Sequence, residues 1–373
     1  MTSPESDIYD AVREQLRAQP RTWLITGVAG FIGSHLGEHL LALGQRVVGL
    51  DNFDTGKQEN LDALVRGADE RAATAGWAHA GTAGARFEFR RADVRDLAAC
   101  VAACAGVDHV LHQAAVASVP RTLAEPEVAH AVNVDGAFHL LEAARRAGSV
   151  RSLVHASSSA VYGDYPGAPE SGAQIEEHIS RPLSPYAGQK RMAEILGQTW
   201  TRTHGLATAG LRYFNIVGPR QDPNGAYAAV IPKWVDTFAR GEQPLIFGDG
   251  ETSRDFCPVE DVVQANLLAA TWPERVDAAG RERPGDPSEG VFNVGLGGRT
   301  SLLELFAMIR EGMAGLGVDC GGVEPEFREF RAGDIRHSRA DIERARTQLG
   351  YRPRMNMQES LLATMRWLLA MNG

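Results

Sequence analysis

The chain has 373 residues, 44% of them hydrophobic and 23% charged, with a net charge of −9. That length allows two or three domains with an ample core, and the composition speaks against both disorder and a membrane protein. The acidic balance and the lack of a basic tail argue against a nucleic-acid surface.

Met1 to Pro20 has neither a basic start nor an apolar run, so no signal peptide is expected. No stretch approaches the ~18 apolar residues of a membrane span, and a cytoplasmic location is expected. Ile8, Val12 and Leu16 predict a short amphipathic helix. Arg21–Thr26 reads as a first strand that runs into Gly27-Val28-Ala29-Gly30-Phe31-Ile32-Gly33. Ile32, Leu36, Leu40 and Leu43 then form a helical apolar stripe, and Arg46–Asp51 is a second strand. Arg66–Ala85 reads as a surface excursion, partly helical. Phe87–Asp93, Val110–Ala115 and Leu153–Ser158 are further strands with helical stretches between them. This alternation predicts an α/β fold with a doubly wound parallel sheet.

Ser171–Pro185 reads as a loop, with Ser184 as N-cap and Pro185 at N1 of the next helix. Past Asn215 the pattern changes. Pro219–Gly225 is loop-like, Ala226–Gly241 helical, and Pro244–Arg254 a strand and turn. Val259–Trp272 is helical, Asp277–Glu289 a polar linker, and Leu302–Leu316 and Met357–Leu369 amphipathic helices. The expected division is residues 1–215 with about 256–298, and a smaller mixed α/β unit of 216–255 with 299–373.

The glycines at 27, 30 and 33 depart from the Gly-x-Gly-x-x-Gly fingerprint, but a strand precedes them and a helix follows. Such a turn lets backbone approach a pyrophosphate at a helix N-terminus; a packing role alone is the competing reading. Asp51 ends the second strand, where a carboxylate can take both hydroxyls of an adenosine ribose and repel a further phosphate. No arginine follows it closely, which favours NAD over NADP. Asp93-Val94 ends the third strand, either against an adenine or as an ordinary strand-end cap.

Cys100, Cys104, Cys257 and Cys320 form no disulfide framework in a chain this long, and no second Cys/His pair completes a zinc site with the first two. His35-Leu36-Gly37-Glu38-His39 matches a zinc-peptidase pattern, but its histidines fall on the flank of the helix after the glycine turn, so no metal is expected.

Tyr186 and Lys190 are four residues apart and share a helix face. An ammonium beside a phenol stabilises the phenolate and lowers its pKa, which suits proton removal from an alcohol as a nicotinamide takes the hydride. Ser157-Ser158-Ser159-Ala160-Val161-Tyr162-Gly163 follows the fifth strand, where ligands sit in a doubly wound sheet. Its serines could equally cap a turn.

Together with Asn133, Arg212-Tyr213-Phe214-Asn215 and Arg331-Ala332-Gly333-Asp334, these motifs make the chain resemble the extended short-chain dehydrogenases/reductases, from Thr22 to the last helix. Within them it is most similar to UDP-hexose 4-epimerases, and closest to the UDP-N-acetylglucosamine branch. The resemblance implies a catalytic set of Ser158, Tyr186 and Lys190. It implies NAD held by Gly27, Gly30, Phe31, Ile32, Gly33, Asp51, Asn52, Asp93, Val94, Gln113, Ala114, Ala115, Asn133, Tyr186 and Lys190. It implies a UDP-sugar substrate touched by Ser118, Arg121, Ser158, Ser159, Tyr186, Asn215, Val230, Arg254, Arg331, Asp334 and Ser338.

Related dehydratases carry Asp-Glu after the serine matching Ser158, and decarboxylases usually a Glu; here Ser159 and Ala160 stand there, and alanine cannot transfer a proton. What remains is oxidation and re-reduction at one carbon. Ser338 matches a position that is a bulky tyrosine in epimerases restricted to non-acetylated sugars, and a serine leaves room for an acetamido group. The expected activity is NAD-dependent 4-epimerisation of UDP-N-acetylglucosamine, or of the 6-carboxylated sugars. The competing readings are a dehydratase or decarboxylase of the same superfamily and a non-catalytic NAD-binding sensor. The resemblance also implies a role in surface polysaccharide assembly and a homodimer built from helices at Glu127–Ala147 and Pro185–His204.

Overall fold

Runs of four to seven residues, apolar for the most part except at the edge strand Phe87–Arg91, become the strands of one central sheet. The computed structural model describes residues 7–75, 78–79, 82, 84–163, 172–178, 181–223, 230–278, 290–330 and 335–372. Its first half runs α1 (Ile8–Ala18), β1 (Thr22–Thr26), α2 (Phe31–Ala42), β2 (Arg46–Asp51), α3 (Gln58–Ala75), β3 (Phe87–Arg91), α4 (Leu97–Cys104), β4 (His109–His112), α5 (Val119–Ala124), α6 (Pro126–His130), α7 (Gly136–Ala147) and β5 (Ser152–Ser158). The second half runs α8 (Pro185–His204), β6 (Ala207–Tyr213), β7 (Asn215–Val217), α9 (Val230–Ala239), β8 (Leu245–Phe247), β9 (Ser253–Arg254), β10 (Phe256–Pro258), α10 (Val259–Ala278), β11 (Val291–Val294), β12 (Thr300–Ser301), α11 (Leu302–Gly315), β13 (Glu326–Arg328), β14 (His337–Ser338) and α12 (Met357–Asn372).

The sheet order is β11-β6-β5-β4-β1-β2-β3, and every pairing is parallel. Both faces are covered, so β1, β4 and β11 are buried along nearly their whole length. The order reverses between β1 and β4, which opens a crevice beyond their carboxyl ends. This is the doubly wound sheet that the alternation predicts.

Several boundaries differ. The third strand stops at Arg91 and the fourth at His112, so Asp93 and Gln113-Ala114-Ala115 lie in loops past the sheet. A helix reaching Ala75 covers the first half of the expected excursion. In α1 it is Tyr9, Val12 and Leu16 that are buried, and Ile8 is 43% exposed. The helix expected from Ala226 is described from Val230, and most of the expected linker after Asp277 lies outside the described residues.

A second apolar core joins Trp234 and Phe238 of α9, Phe306 and Ile309 of α11, and Leu361 and Met365 of α12. Ala345, Leu349 and Tyr351 instead pack in the first core, with α10, despite their late position in the chain.

Candidate active site

The first wall is the glycine turn. Gly27 has φ +72°, and a Cβ at Gly33 would stand 2.0 Å from the Gly27 carbonyl oxygen, so only glycine lets α2 start this close to β1. No side chain caps the N-terminus of α2, which leaves its first amides to a bound anion. Phe31 and Ile32 stand half-buried in that first turn. The adjoining groove is lined by Gly27, Gly30, Asp51, Asn52, Asp54, Asp93, Val94, Gln113, Ala114 and Ala115. A flat cofactor with a diphosphate fits this cradle.

Asp51 already has partners. Its carboxylate accepts from Ala29 N at 2.9 Å and Phe53 N at 2.8 Å, and burial raises its pKa. Asn52 Nδ2 donates to Asp93 Oδ2 at 2.7 Å. Arg95 bonds the same carboxylate and brings it down to about 2. Asn133 lies in a widened helical turn at Ala131–Asp135. It accepts from Val116 N (2.8 Å) and donates to Val116 O (3.1 Å) and Gln189 Oε1 (2.8 Å). Its polar atoms therefore hold the groove's loop and α8 together rather than facing the groove.

The second wall joins the end of β5 to α8. Ser184 Oγ accepts from Ala187 N at 3.2 Å and Pro185 stands at N1, which starts α8 just ahead of Tyr186. Ser158 is the last residue of β5, caps the turn after it through Ala160 N (3.1 Å), and hydrogen-bonds the Tyr186 phenol. Ser159 opens that turn. Lys190 Nζ lies 5.8 Å from the Tyr186 ring centre and donates to Ala156 O at 2.8 Å.

Burial brings Lys190 down to about 8. The Tyr186 phenol is pushed up by burial, against the opposing hydrogen bond from Ser158. This differs from the expectation of a phenol lowered by its lysine: the Lys190 ammonium donates to a backbone carbonyl, and burial outweighs the Ser158 hydrogen bond at the phenol.

Behind this trio is a charged network that the sequence reading missed. Glu194 accepts from Arg212 Nε and Nη2 at 2.8 and 2.9 Å, and from Ser157 Oγ at 2.6 Å. Arg212 Nη1 also donates to the Tyr162 hydroxyl at 3.0 Å. Glu194 stands one helical turn past Lys190, a spacing that could have flagged it. Tyr213, Asn266 and Gln113 bond one another, and Asn266 lies on α10, far away in sequence.

Beyond the sheet opens a cavity of about 600 Å³ lined by Asn215, Val230, Trp234, Phe247, Thr252 and Arg254. Ser338 is paired in register with Arg254, is buried, and donates to Gln174 Oε1 at 3.3 Å. Arg331 and Asp334 lie outside the described residues. Ser118 and Arg121 do not line this cavity. Ser118 caps α5 through Arg121 N (3.2 Å), and Arg121 pairs with Asp54 at 2.5 Å and Glu125 at 3.1 Å, because acidic side chains from two loops meet it there.

His35 Nε2 bonds Pro219 O and His39 Nε2 bonds the Tyr9 hydroxyl, each at 3.0 Å. Burial brings both histidines down to about 4. All four cysteines are free and buried. No metal-binding cluster and no helix able to cross a membrane occur among the described residues.

Residues 23–295 match the model of the NAD-dependent epimerase/dehydratase family. The chain is 38% identical over 344 residues to a UDP-glucose 4-epimerase of Mycolicibacterium smegmatis, covering 91% of this chain and 96% of that one. It is 30% identical to a UDP-glucuronate 4-epimerase of Thermodesulfobacterium geofontis, over 92% and 95%. The solved UDP-N-acetylglucosamine 4-epimerase of Methanobrevibacter ruminantium, in complex with UDP-N-acetylmuramic acid, superposes with a TM-score of 0.78 at 32% identity, covering 94% and 99%. With this family match across most of its length and the fold and motifs to go with it, the chain belongs to the NAD-dependent epimerases/dehydratases among the extended short-chain dehydrogenases/reductases.

Proposed function

We propose that the protein interconverts UDP-N-acetylglucosamine and UDP-N-acetylgalactosamine by 4-epimerisation, with NAD retained through the cycle. The observation that carries this reading is Ser158, Tyr186 and Lys190 brought together where the end of β5 meets α8. Bound NAD supplies a reversible hydride acceptor; the glycine turn, Asp51 and Lys190 would hold it.

Ser158 orients the sugar's O4 and Tyr186 takes its proton as C4 is oxidised. A flat 4-keto sugar results, and after it turns over, Tyr186 returns the proton to O4 as C4 is reduced on the other face. Lys190 holds the positive charge that favours the phenolate once its site is filled. Asn215, Val230 and Arg254 face the nucleotide, and Arg254 suits a diphosphate oxygen. Arg331 and Asp334 complete that set by resemblance. Ala160 after the serine pair supports epimerisation over elimination.

The acetamido preference rests on Ser338. It is paired in register with Arg254, and a serine there takes less room than the tyrosine of epimerases restricted to non-acetylated sugars. The 30% identity to a UDP-glucuronate 4-epimerase supports 6-carboxylated sugars as the second reading. We also propose a homodimer, since Phe138 of α7 and Met192 and Ile195 of α8 expose large apolar side chains. A role in polysaccharide assembly accords with either sugar.

The test is NMR of UDP-N-acetylglucosamine incubated with the purified protein, without added cofactor. New UDP-N-acetylgalactosamine signals support the proposal. Turnover of UDP-glucose alone overturns the acetamido preference. Turnover of UDP-glucuronate alone promotes the second reading.

A further inference from the structure

Residues 52–57, between β2 and α3, wall the dinucleotide groove through Asn52, Asp54, Thr55 and Gly56. Beyond the Asn52–Asp93 bond, this loop is tied to the glycine turn, to α5 and to the segment after β7. Lys57 N donates to Ala29 O of the glycine turn at 2.9 Å. The Asp54 carboxylate receives Nη1 and Nη2 of Arg121 at 2.5 and 3.1 Å, so α5 is tied to the loop by a two-pronged ion pair. On the other side, Lys57 Nζ stands 3.0 Å from Asp222, in the segment after β7.

The backbone adds an independent observation. Phe53 (φ 62°) and Arg220 (φ 70°) are the two non-glycine residues with left-handed φ among the described residues. One lies in each of the segments that Lys57 and Asp222 join. Bulky side chains disfavour this conformation, which persists only where the surroundings impose it. Phe53 N is held by Asp51 at 2.8 Å, so the carboxylate expected at the ribose also pins the strained residue.

We propose that residues 52–57 form a clasp over bound NAD, closed by the Asp54–Arg121 and Lys57–Asp222 ion pairs, and that its opening sets the rate at which NAD leaves. This rests on the NAD site proposed above. A cofactor regenerated in every turnover benefits from slow release, and the two pairs tie this loop of the groove to α5 and to the segment after β7. Lys57 and Asp222 are 43% and 40% exposed, so salt weakens their pairing.

The test uses the protein loaded with NAD and measures the nucleotide released after rapid desalting. Asp54→Asn and Lys57→Gln should each speed release about threefold, and the double variant about tenfold. High salt should speed release from the wild type and leave the double variant little changed. Equal rates in all forms at both salt levels overturn the clasp. Arg121→Gln with and without Asp54→Asn separates it from simple charge neutralisation beside a diphosphate. The clasp requires both forms to release quickly, and wild-type retention in the Asp54→Asn/Arg121→Gln protein overturns it. Failure to bind NAD at all overturns the cofactor site and the clasp together; bound NAD with unaltered release overturns the clasp alone.

Discussion

Glu194 and Arg212 form a two-pronged ion pair, 2.8 and 2.9 Å long, with essentially no solvent contact on either side chain. The pair locks α8 to β6, and through Ser157 to β5, directly behind Lys190. Glu194→Gln should therefore lower unfolding free energy by about 3–5 kcal/mol, because Arg212 is left as a buried uncompensated charge. Arg191→Gln, on the 29% exposed third member, should cost under about 1 kcal/mol. Urea denaturation of both variants checks this, and equal costs would contradict it.

Tyr186→Phe keeps the ring against Lys190 and removes the group that exchanges the proton. Turnover should fall by about 10² to 10⁴, with NAD content and thermal stability retained. Activity within about tenfold of the wild type would remove Tyr186 from the proposed role.

Gly33 and Gly188 make a contrasting pair. A Cβ at Gly33 meets the Gly27 carbonyl at 2.0 Å, whereas nothing lies within 4 Å of one at Gly188. Gly33→Ala should abolish NAD retention and destabilise the fold. Gly188→Ala, inside α8, should stabilise it by about 0.5–1 kcal/mol. Melting curves and nucleotide content of the purified variants decide both.

Burial holds His35 and His39 neutral, at about 4 against an ordinary 6.5. The unfolded chain binds more protons between those values, so their contribution is fully present above 6.5 and is lost as pH falls through about 4. The urea midpoint should fall across that window. A double His→Asn variant should show a shallower fall, and an unchanged slope would show that other groups carry the acid sensitivity.

Ser338→Tyr should abolish turnover of the N-acetylated sugars and spare UDP-glucose, read as the ratio of kcat/KM values. Ser338 is buried and bonded to Gln174, and under this proposal a tyrosine ring there takes the room of the acetamido group. Surviving N-acetylated turnover removes the gate.

Much of this was legible in the chain itself. Apolar runs alternating with helical stripes specify a parallel sheet because strands covered on both faces must be apolar throughout. Ser184-Pro185 marks the start of α8 by local capping chemistry, and the glycines at 27 and 33 mark a turn no side chain could enter. The third and fourth strands end at Arg91 and His112, earlier than the pattern predicts, because apolar residues continue into the loops that line the groove.

The sequence by itself determined the fold class, the alternation of strands and helices and the Tyr186/Lys190 spacing, since each is written as a local pattern along the chain. The tertiary structure alone decided that Asn133 braces Val116 and Gln189, that Arg121 pairs with Asp54, and that Asn266 meets Tyr213 and Gln113. It also decided that Lys190 donates to Ala156 and that the Tyr186 phenol is pushed up rather than down. The physical reason is the same in each case: a polar side chain's partner and its solvation are set by neighbours distant in the chain, and no local pattern records which of them arrive.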